Sequence, residues 1–286
     1  VHDSVTAMLD ALTLRPQPGA ADTFSATSIK MPHDRVYGGQ VLAQSLIAAS
    51  ATVPSDRPVH SMHGYFLRPG DDTQPIEYSV DRIHDGRSFS RRRTQGIQKG
   101  VPIFSMIASF QEVVPGLDHA EQMPTGIPEP ESLPAPAELF AGLNHPRAKY
   151  LAAQRPFDVR YINGPIYLQV TGPHVAHQAV WMRCLDQLPD DASLHRAALA
   201  YASDYTILES IYRRHGVSWA TKGLSAASLD HAMWFHRDGR ADEWVLYVQE
   251  SPSAQGGRGL CLGRMYARDG TLLASVAQEG MVRVPN

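Results

Sequence analysis

Asp204 is the side chain most at odds with its surroundings. It stands in Ala200-Tyr-Ala-Ser-Asp-Tyr-Thr-Ile207, an otherwise uncharged stretch with the pattern of a buried helix. A carboxylate in such a place is costly unless it is paired or hydrogen-bonded; an exposed helix face or a capping role is the plainer alternative. Gln278, in Ser275-Val-Ala-Gln-Glu-Gly280, is polar near the end of an apolar last strand, where a glutamine is ordinarily just a strand-end group. Ser225, in Gly223-Leu-Ser225-Ala-Ala227, comes nearest to a nucleophile elbow. The closing glycine is missing, and the segment precedes a strand-like run instead of joining a strand to a helix. His231 and His236 flank Ala-Met-Trp-Phe. On a strand that spacing turns them to opposite faces, so they cannot share a metal, and a core or hairpin role with hydrogen-bonded ring nitrogens is favoured. Arg91-Arg92-Arg93 lies on a predicted strand with Arg91 and Arg93 on one face. It reads either as a solvated edge that discourages aggregation or as a fork set for a phosphorylated ligand.

No Gly-x-Gly-x-x-Gly, phosphate-loop lysine motif or His-Glu-x-x-His occurs. The elements that must position these residues come from 286 residues, 43% of them hydrophobic and 19% charged, enough for a sizeable core without disulfide or metal staples. The net charge of −3 argues against general nucleic-acid binding and requires any anionic ligand to meet a local basic cluster. Two cysteines, Cys184 and Cys261, make no disulfide framework. No apolar run approaches a membrane span, nothing at the start reads as a signal peptide, and Val284-Pro-Asn286 is not a peroxisomal address. A cytoplasmic setting is the expectation.

Seven prolines between Val113 and Arg147 forbid continuous helix or central strand there. An extended connector with one helical turn near Ala135–Leu143 is expected, dividing the chain into residues 1–112, 113–155 and 156–286. The outer parts look alike. Gly39–Ser50 is Ala/Leu-rich and apolar almost all round, and opens at the permissive Gly38-Gly39 pair; Leu194–Ile211 is its helical counterpart. Strand-like runs follow each helix: His60–Leu67, Glu77–His84, Ser88–Gln98 and Val101–Phe110, then Ser228–His236, Glu243–Gln249, Gly259–Arg268 and Thr271–Val282. The last hairpins align best, Gln98-Lys-Gly100 with Arg268-Asp-Gly270. Such self-similarity indicates a duplicated α+β unit, an antiparallel sheet wrapped around one apolar helix.

Six segments carry a resemblance to the type II acyl-CoA thioesterases, the TesB-like family: Arg35–Gln44, Val59–Gly70, Asp85–Arg92, Tyr201–Asp204, Ser228–Arg237 and Ala277–Gly280. They occur in order over nearly the whole chain and are weakest in the connector. The resemblance implies a double hotdog fold, with hydrolysis of acyl-CoA to a free fatty acid and CoA without metal or cofactor. In that family an Asp on the second hotdog helix, a Ser or Thr on the following strand and a Gln on the last strand bind and activate a water. By motif these fall on Asp204, Ser228 and Gln278. The family often has Thr where this chain has Ser228, so the methyl that fixes the rotamer is missing. Gly38 and Gly39 become candidates for close backbone approach to substrate, with His63, Arg91 and Arg93 as further substrate contacts. Hotdog sheets usually associate, so a dimer or tetramer is expected.

Three rivals remain. A hotdog-fold enoyl-CoA hydratase pairs an Asp with a His a few residues along the same helix, but here the first His after Asp204 is His215. In a non-catalytic acyl-CoA-binding module, Asp204 and Gln278 are structural. A serine hydrolase using Ser225 or Ser228 lacks the motif context.

Overall fold

The computed structural model describes residues 2–285; Val1, and Asn286 at the end of the C-terminal tripeptide, lie outside them. In the first half, α1 (Asp3–Leu12), β1 (Arg15–Pro16) and β2 (Thr23–Ala26) precede the central helix α2 (Gly38–Ser50). Four long strands follow, β3 (Val59–Phe66), β4 (Ile76–Asp85), β5 (Phe89–Gln98) and β6 (Val101–Gln111). The connector carries a 3-10 turn at Pro130–Ser132, α3 (Pro136–Leu139), α4 (Pro146–Lys149) and a π-helical turn at Tyr150–Gln154. The second half opens with β7 (Phe157–Tyr161) and β8 (His177–Cys184), then α5 (Ala192–Ser203) and α6 (Glu209–His215). It ends with β9 (Ser225–Ser228), β10 (Asp230–Phe235), β11 (Val245–Gln255), β12 (Arg258–Ala267) and β13 (Leu272–Arg283).

The two halves repeat one topology. Strands run β2-β4-β5-β6-β3 in the first and β8-β11-β12-β13-β10 in the second, all antiparallel. The repeats meet where β3 pairs with β10, with Met62 opposite Met233, so the halves share one continuous sheet. Each half curls around its helix. From Gly39 to Leu46 every residue of α2 is buried, as a helix apolar all round requires. Its two glutamines are satisfied inside the core: Gln40 Oε1 accepts from Ile29 N–H at 2.9 Å, and Gln44 Nε2 donates to the Ala11 carbonyl at 2.7 Å. This is the double hotdog that the resemblance implies, and the repeated sheet around a helix that the duplication suggested. The β5–β6 hairpin turns on Lys99 and Gly100, both left-handed (φ 51° and 74°), the turn that matches strand twist.

Three expectations need correction. The helix predicted over Leu194–Ile211 is two helices, α5 and α6, with a turn over residues 204–208 between them. Tyr247 Oη donates to the Ser203 carbonyl at 3.1 Å, taking the acceptor that a continuing helix would use. The strand predicted over Ser228–His236 is broken at Leu229, whose N–H goes to the Glu279 carbonyl and whose carbonyl accepts from Phe66 N–H, both at 2.9 Å. The connector holds more helix than the single turn expected, and it packs against the protein. Met123, Ile127 and Leu133 cover an apolar patch of Trp181, Trp244, Leu246, Tyr266 and Leu272 on the outer face of the second repeat. Trp181 Nε1 donates to the Pro128 carbonyl at 2.9 Å. Among the described residues no helix is long and apolar enough to cross a membrane.

Candidate active site

The central helices approach end to end. The first residues of α2 lie against the last residues of α5, and glycine makes that contact possible. A Cβ on Gly39 would stand 2.1 Å from the Tyr201 carbonyl oxygen, and one on Gly38 would stand 2.5 Å from Asp204 Oδ2. Tyr37, just before α2, closes the joint: its hydroxyl donates to the Tyr201 carbonyl at 2.8 Å and its ring stacks on Tyr205. The pair expected to open the helix does so, and it also admits a neighbouring helix and its carboxylate.

Asp204 caps the C-terminal end of α5 instead of sitting within the helix. Three segments converge on it. Ser228, the last residue of β9, donates its hydroxyl to Asp204 Oδ1 at 3.0 Å. Gln278, on β13 and fully buried, donates through Nε2 to the same oxygen at 3.0 Å and to Ser228 Oγ at 2.9 Å. Burial holds the Asp204 carboxyl up at about 6 against 3.8, although Gln278, Ser228 and the Gly39 backbone N–H pull it down. A carboxylate poised there is ionised at neutral pH yet far more basic than an exposed one, which suits proton acceptance.

Asp204 and Ser228 form a wall between two cavities. One, about 180 Å3, is lined mainly by Tyr37, Tyr150, Tyr205, Leu208 and Trp219, with Arg147 and Arg155. The other, about 340 Å3, is lined by Val36, Gly38, Phe66, Ile103 and Phe104, with Arg35 and Arg68. The site therefore borders two largely apolar spaces that also contain arginine.

The structure brings Asp204, Ser228, Gln278, Gly38 and Gly39 together. It does not bring His63, Arg91 or Arg93 to them. His63 is exposed on β3, edge-on to the Trp234 ring at 4.9 Å. Arg93 pairs with Asp81 on the neighbouring strand, and Arg91 lies over the Phe89 ring. Arg92 points inward instead, fully buried, and donates to Thr52 Oγ1 at 2.8 Å and to Asp85 at 2.8 Å. Ser225 is exposed on β9 with no catalytic partner beside it. Sequence reasoning placed His231 in the core or a hairpin, and it is buried, but it also contacts Gln278 through Nδ1. The available signal was strand parity, since His231 shares the inward face with Met233 and Phe235.

Two family models match the chain. Residues 27–111 match one described as the acyl-CoA thioesterase N-terminal domain, and residues 152–281 match one described as acyl-CoA thioesterase. Human acyl-coenzyme A thioesterase 8 is 38% identical, covering 97% of this chain and 89% of its own. Acyl-CoA thioesterase 2 of Haemophilus influenzae is 37% identical over 91% of this chain and 92% of its own. Among solved structures, the acyl-CoA thioesterase II TesB2 of Mycobacterium marinum is 41% identical with a TM-score of 0.80, covering 98% and 99% of the two chains.

Proposed function

This chain belongs to the acyl-CoA thioesterase family, and on that premise we propose that Asp204, Ser228 and Gln278 are the residues with which it hydrolyses acyl-CoA. The observation that carries this reading is the convergence of two polar side chains, from β9 and β13, on one carboxylate oxygen of Asp204 at the end of α5. A water bound to that carboxylate has Ser228 Oγ and Gln278 Nε2 within reach to fix its direction, which removes orientational entropy from the attack. The water oxygen bonds to the thioester carbonyl carbon while its proton passes to Asp204. The C–S bond then breaks, its electron pair leaves on sulfur, and Asp204 returns the proton to the CoA thiolate. The reacting carbonyl lies where the two cavities meet, beside the N-terminus of α2, whose positive end favours the negative charge developing on oxygen.

In this arrangement the aromatic cavity around Tyr37, Tyr205 and Trp219 takes the acyl chain. The pantetheine arm follows the cavity edged by Arg35 and Arg68, which supply the basic cluster that a net charge of −3 requires. A homo-oligomer in the cytoplasm is part of the same proposal, the first because hotdog sheets usually associate.

The test is thiol release from palmitoyl-CoA followed with a thiol-reactive dye. Both cysteines are buried and their thiols are pushed up to about 11, so the dye reports CoA and not the enzyme. Release by the native chain should fall about 100-fold in Asp204→Asn and about 10-fold in Gln278→Ala. Undiminished release by both variants refutes the site assignment. An acylated serine in rapid-quench mass spectrometry refutes direct attack by water.

A further inference from the structure

Gln278 can serve the site only if its amide faces one way. Its Nε2 end must point at Asp204 and Ser228, both of which offer it an oxygen. The reversed amide would set Oε1 against a carboxylate. Asp204 thus disfavours the reversed amide already, and a group donating to Oε1 from the far side of Gln278 would hold the amide more firmly. That group is on β10. His231 is 1% exposed and touches Gln278 Oε1 through Nδ1, while its Nε2 lies 2.9 Å from Ser203 Oγ. Ser203 is the last residue of α5 and the immediate neighbour of Asp204.

Counting protons around this ring leaves one consistent arrangement. Gln278 Oε1 is an acceptor, so His231 Nδ1 must carry a hydrogen. Burial keeps the imidazole neutral, lowering its pKa to about 4, so Nε2 has a lone pair and must receive a hydrogen. The Ser203 hydroxyl supplies it, turning away from the Ala200 carbonyl that also lies within 2.8 Å. Donation therefore runs in one direction: Ser203 to His231, His231 to Gln278, and Gln278 to Asp204 and Ser228.

We propose that His231 is a positioning residue for thioester hydrolysis: its Nδ1–H holds the Gln278 amide with nitrogen toward Asp204, and the Ser203 hydroxyl accommodates the tautomer that this needs. The inference rests on the site reading above and extends it one shell outward, to a histidine whose burial alone reads as a core role.

Two substitutions separate this from mere packing. His231→Asn places an amide N–H where Nδ1–H stands, whereas His231→Gln places it nearer the position of Nε2 and leaves Gln278 unconstrained. The inference expects kcat within about threefold of native for His231→Asn and a loss of about tenfold for His231→Gln, with KM changed less than twofold in both. The acid limb of the rate should move to higher pH in His231→Gln, because a reversed Gln278 raises the Asp204 pKa. In a Gln278→Ala background the same His231→Gln change should cost less than twofold, since its target is gone. Equal activity of the Asn and Gln variants, or the full loss persisting in the Gln278→Ala background, overturns the role of His231. Asp204→Asn is assayed alongside: full activity there overturns the site reading itself, whereas low activity there with an unaffected His231→Gln overturns only the positioning role.

Discussion

A general base held at about 6 is a carboxylate that the fold would rather keep protonated, and its removal should stabilise the protein while abolishing its work. Asp204 rises from 3.8 to about 6, a shift of about two units, chiefly through burial. At about 1.36 kcal/mol per unit this sets a ceiling near 3 kcal/mol on the cost of its charge. The cavities beside it admit water and screen part of that, so about 1–2 kcal/mol is expected. Between about pH 4 and pH 6 the folded chain binds more protons than the unfolded one. The cost is thus absent below about pH 4 and complete above about pH 6. Asp204→Asn carries no charge at any pH and still offers an oxygen to Ser228 and Gln278. It should exceed the native chain by about 1–2 kcal/mol near pH 7.5, and the gain should fade by about pH 4. Urea unfolding across that range, read by tryptophan fluorescence and by circular dichroism, measures both. A variant less stable than native near pH 7.5, or a gain that is the same at both ends of the range, refutes the argument that Asp204 is a strained, desolvated base. Loss of thiol release with the predicted gain of stability would tie both properties to one group.

Other parts of the site make independent demands. Ser228→Ala removes a hydrogen bond that lowers the Asp204 pKa, so the acid limb of the rate should move above about 6 and kcat should fall about tenfold; Ser228→Thr keeps the hydroxyl and should stay within about threefold of native. Gly38→Ala sets a Cβ 2.5 Å from Asp204 Oδ2 and should lower kcat by displacing the carboxylate. Gly39→Ala meets the Tyr201 carbonyl at 2.1 Å and should cost about 1–3 kcal/mol or more in thermal or urea unfolding. Steady-state kinetics of Arg91→Ala/Arg93→Ala should leave KM for acyl-CoA within twofold, whereas Arg68→Ala should raise it severalfold; the opposite pattern would return CoA capture to β5.

The repeat was legible because it rests on periodicity and turn chemistry. An all-apolar helix and a polar-Gly hairpin are local signals, and both halves carry them in the same order. Strands β7 and β8 were not read, lying beyond a proline-rich segment that gave no reason to expect sheet. The break after Ser203 was also hidden, because the group that ends the helix, Tyr247, lies 44 residues along the chain. Site residues divide the same way. Asp204 was conspicuous as a lone charge among apolar neighbours, but Ser228 and Gln278 are ordinary residues in ordinary strands, and only the family resemblance marked them. The arginine triplet kept both of its readings for a related reason. Strand parity correctly put Arg91 and Arg93 on one face, but parity cannot say whether that face looks toward a cavity or toward solvent. His231 shows the converse, a residue whose partners are invisible until β10 and β13 are side by side.

The duplication raises the question of why the proposed site lies at one end of one helix only. Both central helices end in a buried pocket of sheet, and a helix C-terminus presents unpaired carbonyls that must be satisfied. In the first repeat Arg92 does this: its guanidinium reaches from β5 to the Thr52 carbonyl at 3.1 Å and the Thr52 hydroxyl at 2.8 Å, just past the end of α2. A cation beside a helix C-terminus suits the helix dipole, so this end is filled and stable. In the second repeat the neutral Tyr247 hydroxyl meets the Ser203 carbonyl, and an anion, Asp204, occupies the next position. A carboxylate at the negative end of a helix is unfavourable for the fold, which adds to the burial that makes it basic. Gln278 and Ser228, and then the Gly39 N–H at the opposing N-terminus of α2, pull the other way, so Asp204 still ionises at neutral pH. One repeat therefore supplies the proposed base and the other supplies the positive helix end beside it. A single repeat has half of this arrangement, so the proposed chemistry requires the pair.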